Sequence, residues 1–299
     1  MRYAYYPGCS LSESAREYDV STRAVLGRLD VELEEIPDWT CCGASAVESV
    51  SRLLSYTLPA RNLCLAEAST PGADVLAPCS ACYLNLRKVQ EELRKDAKLK
   101  DAVRQVMAEE DLRVPETFTV RHLLDVLAND VGAESVAEAV SRPLAGMVFA
   151  PYYGCQILRP YRVFDDPERP TTMEPLIKAL GGEVLPWHYG SRCCGASLMA
   201  TKKDVALVSV AAILRAASEA DAILTVCPMC QMNLEAYQKQ AFRLSGQDKP
   251  VSVIYLPQVM GLAFGLSETE VLLGKNMVVT ERFKEKLRHP APAEALAEA

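Results

Sequence analysis

Ten of the chain's eleven cysteines fall into two like sets. Each set opens with a lone cysteine behind glycine, Cys9 in "YYPGCS" and Cys155 in "YYGCQ". A vicinal pair in a CCGAS block follows, Cys41 with Cys42 and Cys193 with Cys194. A CxxC then runs into a helix-like stretch, Cys79 and Cys82 in "CSACYLNL", Cys227 and Cys230 in "CPMCQMNL". The lone cysteine precedes the pair by 32 positions in the first set and 38 in the second, and the pair precedes the CxxC by 37 and 33. Recurrence of order and surroundings points to an internal duplication. Cys64, in the helical run "ARNLCLAEA", has no counterpart and reads as a buried thiol.

Adjacent cysteines fit a disulfide framework poorly, because bridging neighbours strains the peptide between them and bridging both outward crowds two links at one point. Metal ligation is the better assignment. A structural zinc is closed by four ligands, so a fifth cysteine in each set is superfluous to it. An iron-sulfur cluster offers several irons and selects soft thiolates, so it can use all five. Glycines beside the cysteines (Gly8, Gly43, Gly154, Gly195) let backbone approach such a group without side-chain clash. Two other assignments stay open: a zinc-stapled scaffold, and a metal-free dithiol, since a CxxC after a strand and opening a helix is also a thioredoxin-type arrangement.

The elements that must position these thiols are legible upstream of each group. "RYAYY", "VELEEIP" and "ADVLA" in the first half, and "GMVFAP", "GEVLP" and "ADAILTV" in the second, are short apolar or alternating runs that read as strands. "SAREYDVSTRAVLGRL", "ASAVESVSRLLSYTL" and "KKDVALVSVAAILRAASEA" read as helices between them, and "VQEELRKDAKLKDAVRQVMAEED" as an exposed helix or helical pair. Each half closes with a strand and a helix, "TFTVRHLLDVLA" and "VSVIYLPQVMGLAFG", which puts His122 in a helical run. Strand alternating with helix implies parallel pairing, hence an α/β fold of two tandem pseudo-repeats, each a small parallel sheet flanked by helices. Ligands of open parallel sheets collect beyond the carboxyl ends of the strands, where all three cysteine groups of each half fall. The expected domains are 1–142 and 143–287, with the boundary in the Ala-rich segment 131–146 and a loose tail over 288–299.

Composition narrows the function. The chain has 299 residues, 49% of them hydrophobic, and a net charge of -7 with scattered basic residues, so no footprint for nucleic-acid binding exists. No apolar run reaches the roughly 18 residues of a membrane span, and the amino terminus lacks the layout of a secretory signal. The expectation is a cytoplasmic protein without a membrane span. His188 and Arg192, beside the second vicinal pair in "LPWHYGSRCCG", are candidate substrate contacts that can hold an anionic group. The pairs Tyr5–Tyr6 and Tyr152–Tyr153 are expected to shape the core around the lone cysteines, and Lys202 and Lys203 to be a solvated helix start.

The CCG blocks and their spacing resemble the cysteine-rich CCG domain family, duplicated as in the B subunit of heterodisulfide reductase and its relatives. The resemblance runs from about residue 3 to 265 and rests on ten cysteines in order. It implies two noncubane 4Fe-4S clusters, one held by Cys9, Cys41, Cys42, Cys79 and Cys82, the other by Cys155, Cys193, Cys194, Cys227 and Cys230. It also implies a catalytic B subunit of a heterodisulfide-reductase-like complex, an iron-sulfur disulfide reductase that splits a disulfide between the clusters or, in reverse, oxidises thiols. Its redox partners by resemblance are a ferredoxin-like C subunit and a flavin-containing A subunit. An electron-transfer CCG subunit of a related oxidoreductase complex is the alternative.

Overall fold

The computed structural model describes residues 1–44, 46–246 and 249–289; residues 290–299 of the expected tail lie outside the described residues. The chain forms two compact units, Met1–Asp19 with Asp30–Leu123, and Val20–Leu29 with the residues from Leu124 on. Segment 131–146 itself carries a helix, Gly132–Glu138.

Each unit holds one four-stranded parallel sheet. Strands β1 (Arg2–Tyr5), β2 (Glu32–Glu35), β3 (Val75–Ala77) and β4 (Val120–His122) lie in the order β2-β1-β3-β4. Strands β5 (Val148–Tyr152), β6 (Glu183–Val184), β7 (Ala222–Thr225) and β8 (Ser252–Tyr255) lie in the order β6-β5-β7-β8, the same topology again. Registers such as Tyr5 opposite Leu76 and Tyr152 opposite Thr225 align the carboxyl ends of the two inner strands. Parallel neighbours need crossover helices, which cover both faces and favour continuous apolar strands. Accordingly β3, β7 and β8 are buried throughout, while the edge strands β2, "ELEE", and β6, "EV", carry glutamates outward.

The helical runs break at two capping residues, the first a departure from the sequence expectation and the second giving the helical pair that the sequence allowed. "ASAVESVSRLLSYTL" forms two helices, Val47–Val50 and Leu54–Ser69, because Ser51 is extended and its hydroxyl accepts from Leu54 N–H at 3.2 Å. The long polar run divides into Ser80–Glu92 and Ala97–Ala108 at Asp96, whose carboxylate accepts from Leu99 N–H at 3.0 Å. Val103 and Met107 of the second piece are buried, so that helix packs rather than standing free. His122 ends β4 instead of lying in a helix, with its ring edge-on to Tyr83 at 5.4 Å.

In the second unit the terminal helix Glu281–Arg288 is fixed through one fully buried carboxylate. Asp221 lies 2.6 Å from Arg282 Nε and 2.8 Å from Lys286 Nζ, and accepts from the Val148 N–H of β5 at 2.7 Å. Removing one member of such a set strands the others, a loss moderated here because both cations are partly exposed. Asp221→Ala is therefore expected to destabilise the second unit by about 2–4 kcal/mol, read as a lower urea midpoint, with Arg162→Ala at an exposed surface pair shifting it by less than about 1 kcal/mol.

Candidate metal centres

The two sheets deliver the cysteines to the same place in each half. The lone cysteine follows the first inner strand, the vicinal pair follows the acidic edge strand, and the CxxC follows the second inner strand. Cys79 and Cys227 are extended residues capping the helices Ser80–Glu92 and Pro228–Ala236, so Cys82 and Cys230 sit in the first turns.

Five devices recur between the halves. First, a buried cysteine of the vicinal pair meets the second cysteine of the CxxC: Cys42 Sγ and Cys82 Sγ are 3.5 Å apart, Cys194 Sγ and Cys230 Sγ 3.6 Å. Second, the glycine after each pair donates its N–H to the first cysteine, Gly43 to Cys41 Sγ and Gly195 to Cys193 Sγ, both at 3.4 Å. Third, an asparagine inside each CxxC helix holds the loop: Asn85 Nδ2 donates to Cys42 O at 3.0 Å, and Asn233 Nδ2 to Cys194 O at 2.8 Å. Fourth, a tyrosine three residues before each lone cysteine donates to the carbonyl just before the pair, Tyr6 to Thr40 O at 2.7 Å and Tyr152 to Arg192 O at 2.6 Å. Fifth, Gly8 and Gly154 take left-handed φ values of +71° and +72°, and a Cβ there would lie 2.8 Å from Cys82 Sγ and 3.1 Å from Cys230 Sγ.

The thiols interact strongly. Cys42 is held well below the ordinary thiol range by hydrogen bonds from Cys41 and then Cys82, against its burial. Cys41 is pushed up by that shared bond and by burial, and Cys82 by its bonds to Cys42 and Cys79 and by burial. In the second half Cys193 is the lowered thiol, through a bond from Cys155 aided by Gly195 N–H and the Arg159 charge, with burial opposing. Cys155 rises through the same bond, and Cys230 through its bonds to Cys194 and Cys227. Tyr6 and Tyr152 are pushed up by burial and then by the surrounding thiolates, so both remain neutral donors, as expected of core-shaping tyrosines.

Among the described residues no three Cys, His, Asp or Glu side chains gather closely enough to hold a single metal ion. Each half instead offers five thiols joined in one chain of electrostatic contacts, beside a backbone cradle that a Cβ would fill. This donor set fits a group of several irons, whose ligands attach to different metal atoms, better than one tetrahedral ion. Cys64 stays outside it, buried in Leu54–Ser69 with its pKa pushed up to about 12 by burial. His188 and Arg192 are both exposed on the wall of a cleft, Arg192 being the residue before Cys193.

Sequence reasoning missed Asn85 and Asn233, although both stand three positions after a CxxC. It also missed Asn62, which accepts from Thr40 N–H at 2.8 Å and donates to Thr40 O at 2.9 Å, and Arg61, which ion-pairs with Asp38 at 2.6 Å. Neither repeats in the second half, so no internal comparison could flag them. Gly8→Ala combines a left-handed backbone with the close sulfur, and is expected to destabilise the metal-free protein by about 1–3 kcal/mol in urea titration. Gly27→Ala, inside a helix with nothing within 4 Å, is expected to stabilise it by up to about 1 kcal/mol.

Comparison with known proteins assigns residues 3–87 and 149–235 to the cysteine-rich CCG domain. The 8-methylmenaquinol:fumarate reductase membrane anchor subunit of Wolinella succinogenes is 36% identical over 92% of this chain and 96% of its own. The B subunit of the ferredoxin/F420H2-dependent CoB-CoM heterodisulfide reductase of Methanosarcina acetivorans is 26% identical over 96% of this chain and 97% of its own. A protein of Archaeoglobus profundus that is named for its likeness to the heterodisulfide reductase B subunit is 27% identical over 91% of this chain and 93% of its own. A crystal structure of a hypothetical protein from Helicobacter pylori shares the fold, with a TM-score of 0.72 at 15% identity; this chain spans 92% of itself and about half, 51%, of that one. With two matches, two equal sheets and two like cysteine sets, the chain belongs to the cysteine-rich CCG domain family and carries that domain twice.

Proposed function

We propose that the chain is the catalytic B-type subunit of a heterodisulfide-reductase-like complex, reducing a disulfide or, in reverse, oxidising thiols. The observation that carries this reading is the doubled quintet: Cys9, Cys41, Cys42, Cys79 and Cys82, and Cys155, Cys193, Cys194, Cys227 and Cys230, gathered by equivalent elements in two equal sheets. Each quintet is the ligand set of one noncubane 4Fe-4S cluster, and the functional repeats are 1–142 and 143–287. Two such clusters supply, when bound, the two one-electron transfers that cleavage of a disulfide requires. The chain's own residues do the rest. Gly8 and Gly154 leave room beside the sulfurs, the Gly43 and Gly195 amides direct positive N–H ends at Cys41 and Cys193, and Asn85 and Asn233 fix the loops that carry the vicinal pairs. Electrons arrive from other chains, a ferredoxin-like C subunit joined to a flavin-containing A subunit.

A second reading has an observation of its own. The 36% identity to a fumarate reductase subunit, against 26% for the methanogen heterodisulfide reductase chain, favours an electron-transfer subunit in a quinol-linked complex. No helix among the described residues is long and apolar enough to cross a membrane, so attachment in such a complex would come from another chain or from the membrane surface.

Anaerobically purified protein is expected to hold about eight irons and as many acid-labile sulfides, four for each cluster. Cys42→Ser and Cys194→Ser should each remove about half of the iron, and each should abolish disulfide reduction with a reduced viologen as donor. Retained turnover after either loss defeats the two-centre reading. Iron at the expected level, with no disulfide turnover but electron uptake from a quinol analogue in the assembled complex, gives the second reading.

A further inference from the structure

Cys9 and Cys155 are equivalent in the repeat, yet the chain beyond them differs completely. After Cys9 it is helical, Gly8–Ser12 and then Arg16–Arg28. After Cys155 it runs without helix or strand until Met173. That segment is nevertheless built. Asp165 accepts from the N–H groups of Thr171 and Thr172, and Asp166 from those of Glu168 and Arg169, at 2.9 to 3.1 Å. Arg159 clamps it to the loop before the second vicinal pair, pairing with Glu168 at 2.9 Å and donating to Ser191 O at 2.6 Å. That loop is itself longer, six residues between Pro186 and Cys193 against three between Pro37 and Cys41.

The two insertions enclose a cleft of about 680 Å³ within the second unit. Its floor is tight, since a Cβ on Gly190 would lie 2.9 Å from Pro151 O and 3.5 Å from the Tyr153 ring. Its arginines are less engaged than its acids. The two acids on its wall are already engaged: Glu168 pairs with Arg159, and Glu174 accepts the Tyr153 hydroxyl and is pushed up by burial towards its neutral form. The guanidinium groups of Arg169 and Arg192, on the two enclosing segments, make no ion pair or hydrogen bond among the described residues, Arg169 lying within electrostatic reach of Asp166 and Arg192 facing no such acid. Trp187 adds an apolar surface, its N–H being spent on Pro151 O at 3.1 Å. Arg192 immediately precedes Cys193, whose side chain is exposed.

We infer that this cleft is the specificity subsite of the second half and that it takes the acidic end of a small thiol or disulfide. Carboxylate groups of the ligand lie on Arg169 and Arg192, its carbon chain lies against Trp187, and its sulfur end lies towards Cys193. The inference rests on the disulfide reading above and names the substrate class of that site: an anionic small molecule. In the first half the chain is helical where the cleft's wall stands in the second.

Binding is read from Trp187 fluorescence in a Trp39→Phe background, on the full chain purified anaerobically, with mercaptosuccinate, succinate and 2-mercaptoethanol as probes. Mercaptosuccinate is expected to change the emission saturably, succinate to compete with it, and 2-mercaptoethanol to do neither. Arg169→Ala and Arg192→Ala are each expected to weaken mercaptosuccinate binding about tenfold, and Arg243→Ala not to change it. Circular dichroism checks that each variant is folded, and Arg169→Lys with Arg192→Lys should restore part of the affinity. Equal affinity for the neutral and acidic thiols, or undiminished binding by the folded double alanine variant, overturns the inference. Acidic-thiol binding without any disulfide turnover leaves the cleft standing and removes the reductase reading. Turnover that ignores the charge of the disulfide does the opposite.

Discussion

Cys42 and Cys82 hold their sulfurs 3.5 Å apart, and Cys194 and Cys230 hold theirs 3.6 Å apart, although 40 and 36 residues separate the partners in the chain. All four side chains are buried. Buried thiolates at that distance repel and have lost their water, so the arrangement persists only if protons or metal ions are shared among them. The rest of each unit reads as the apparatus for holding that pair. Two inner strands end in register and deliver one sulfur from a CxxC, while the edge strand delivers the other through a loop tied from both sides by a tyrosine and an asparagine. The glycine before the lone cysteine leaves the space beside the pair open.

Much of this was legible in the sequence because the duplication supplies its own comparison. Features that occur twice, the three cysteine groups, the strands before them and the neighbouring glycines, could be recognised without any other protein. The parallel topology followed from strand and helix alternation, and every strand lies in or overlaps a run that predicted one, although β5 extends past its run to Tyr152 and β4 takes in His122, which read as helical. What escaped was set by side chains acting across long separations. Nothing near Arg61 signals that it will hold Asp38, and Asn85 resembles any polar residue on a helix until its partner, the Cys42 carbonyl, is in place. The helix break at Ser51 was missed for a smaller reason: it is an ordinary capping residue within an otherwise periodic run. The cleft beside Cys193 was hinted at only by Arg192 and His188, since its other wall comes from a segment with no periodicity to read.

The two halves therefore agree where sulfur is gathered and disagree where anything else could be recognised. The loop before Cys41 is braced from a long helix by Arg61 and Asn62. The loop before Cys193 is braced by Arg159 from an irregular segment, and an open cleft carrying Arg169 and Arg192 results. Both copies keep the same arrangement of cysteine groups, while the second is released from that symmetry in the segments that follow Cys155 and precede Cys193.

The acidic edge strands bear on a hazard peculiar to repeated folds. Two copies of one sheet on one chain can trade strands during synthesis, giving a chimaeric sheet that buries apolar surface almost as well as the native one. Strand β2 presents Glu32, Glu34 and Glu35, and β6 presents Glu183. A foreign edge of the same sign laid alongside either would bring carboxylates face to face. The unequal linkers between cysteine groups add a second safeguard, because an exchanged strand would arrive with its tether too short or too long. Like sheets, each with one acidic border and with mismatched tethers, can mature on one chain with less risk of entangling.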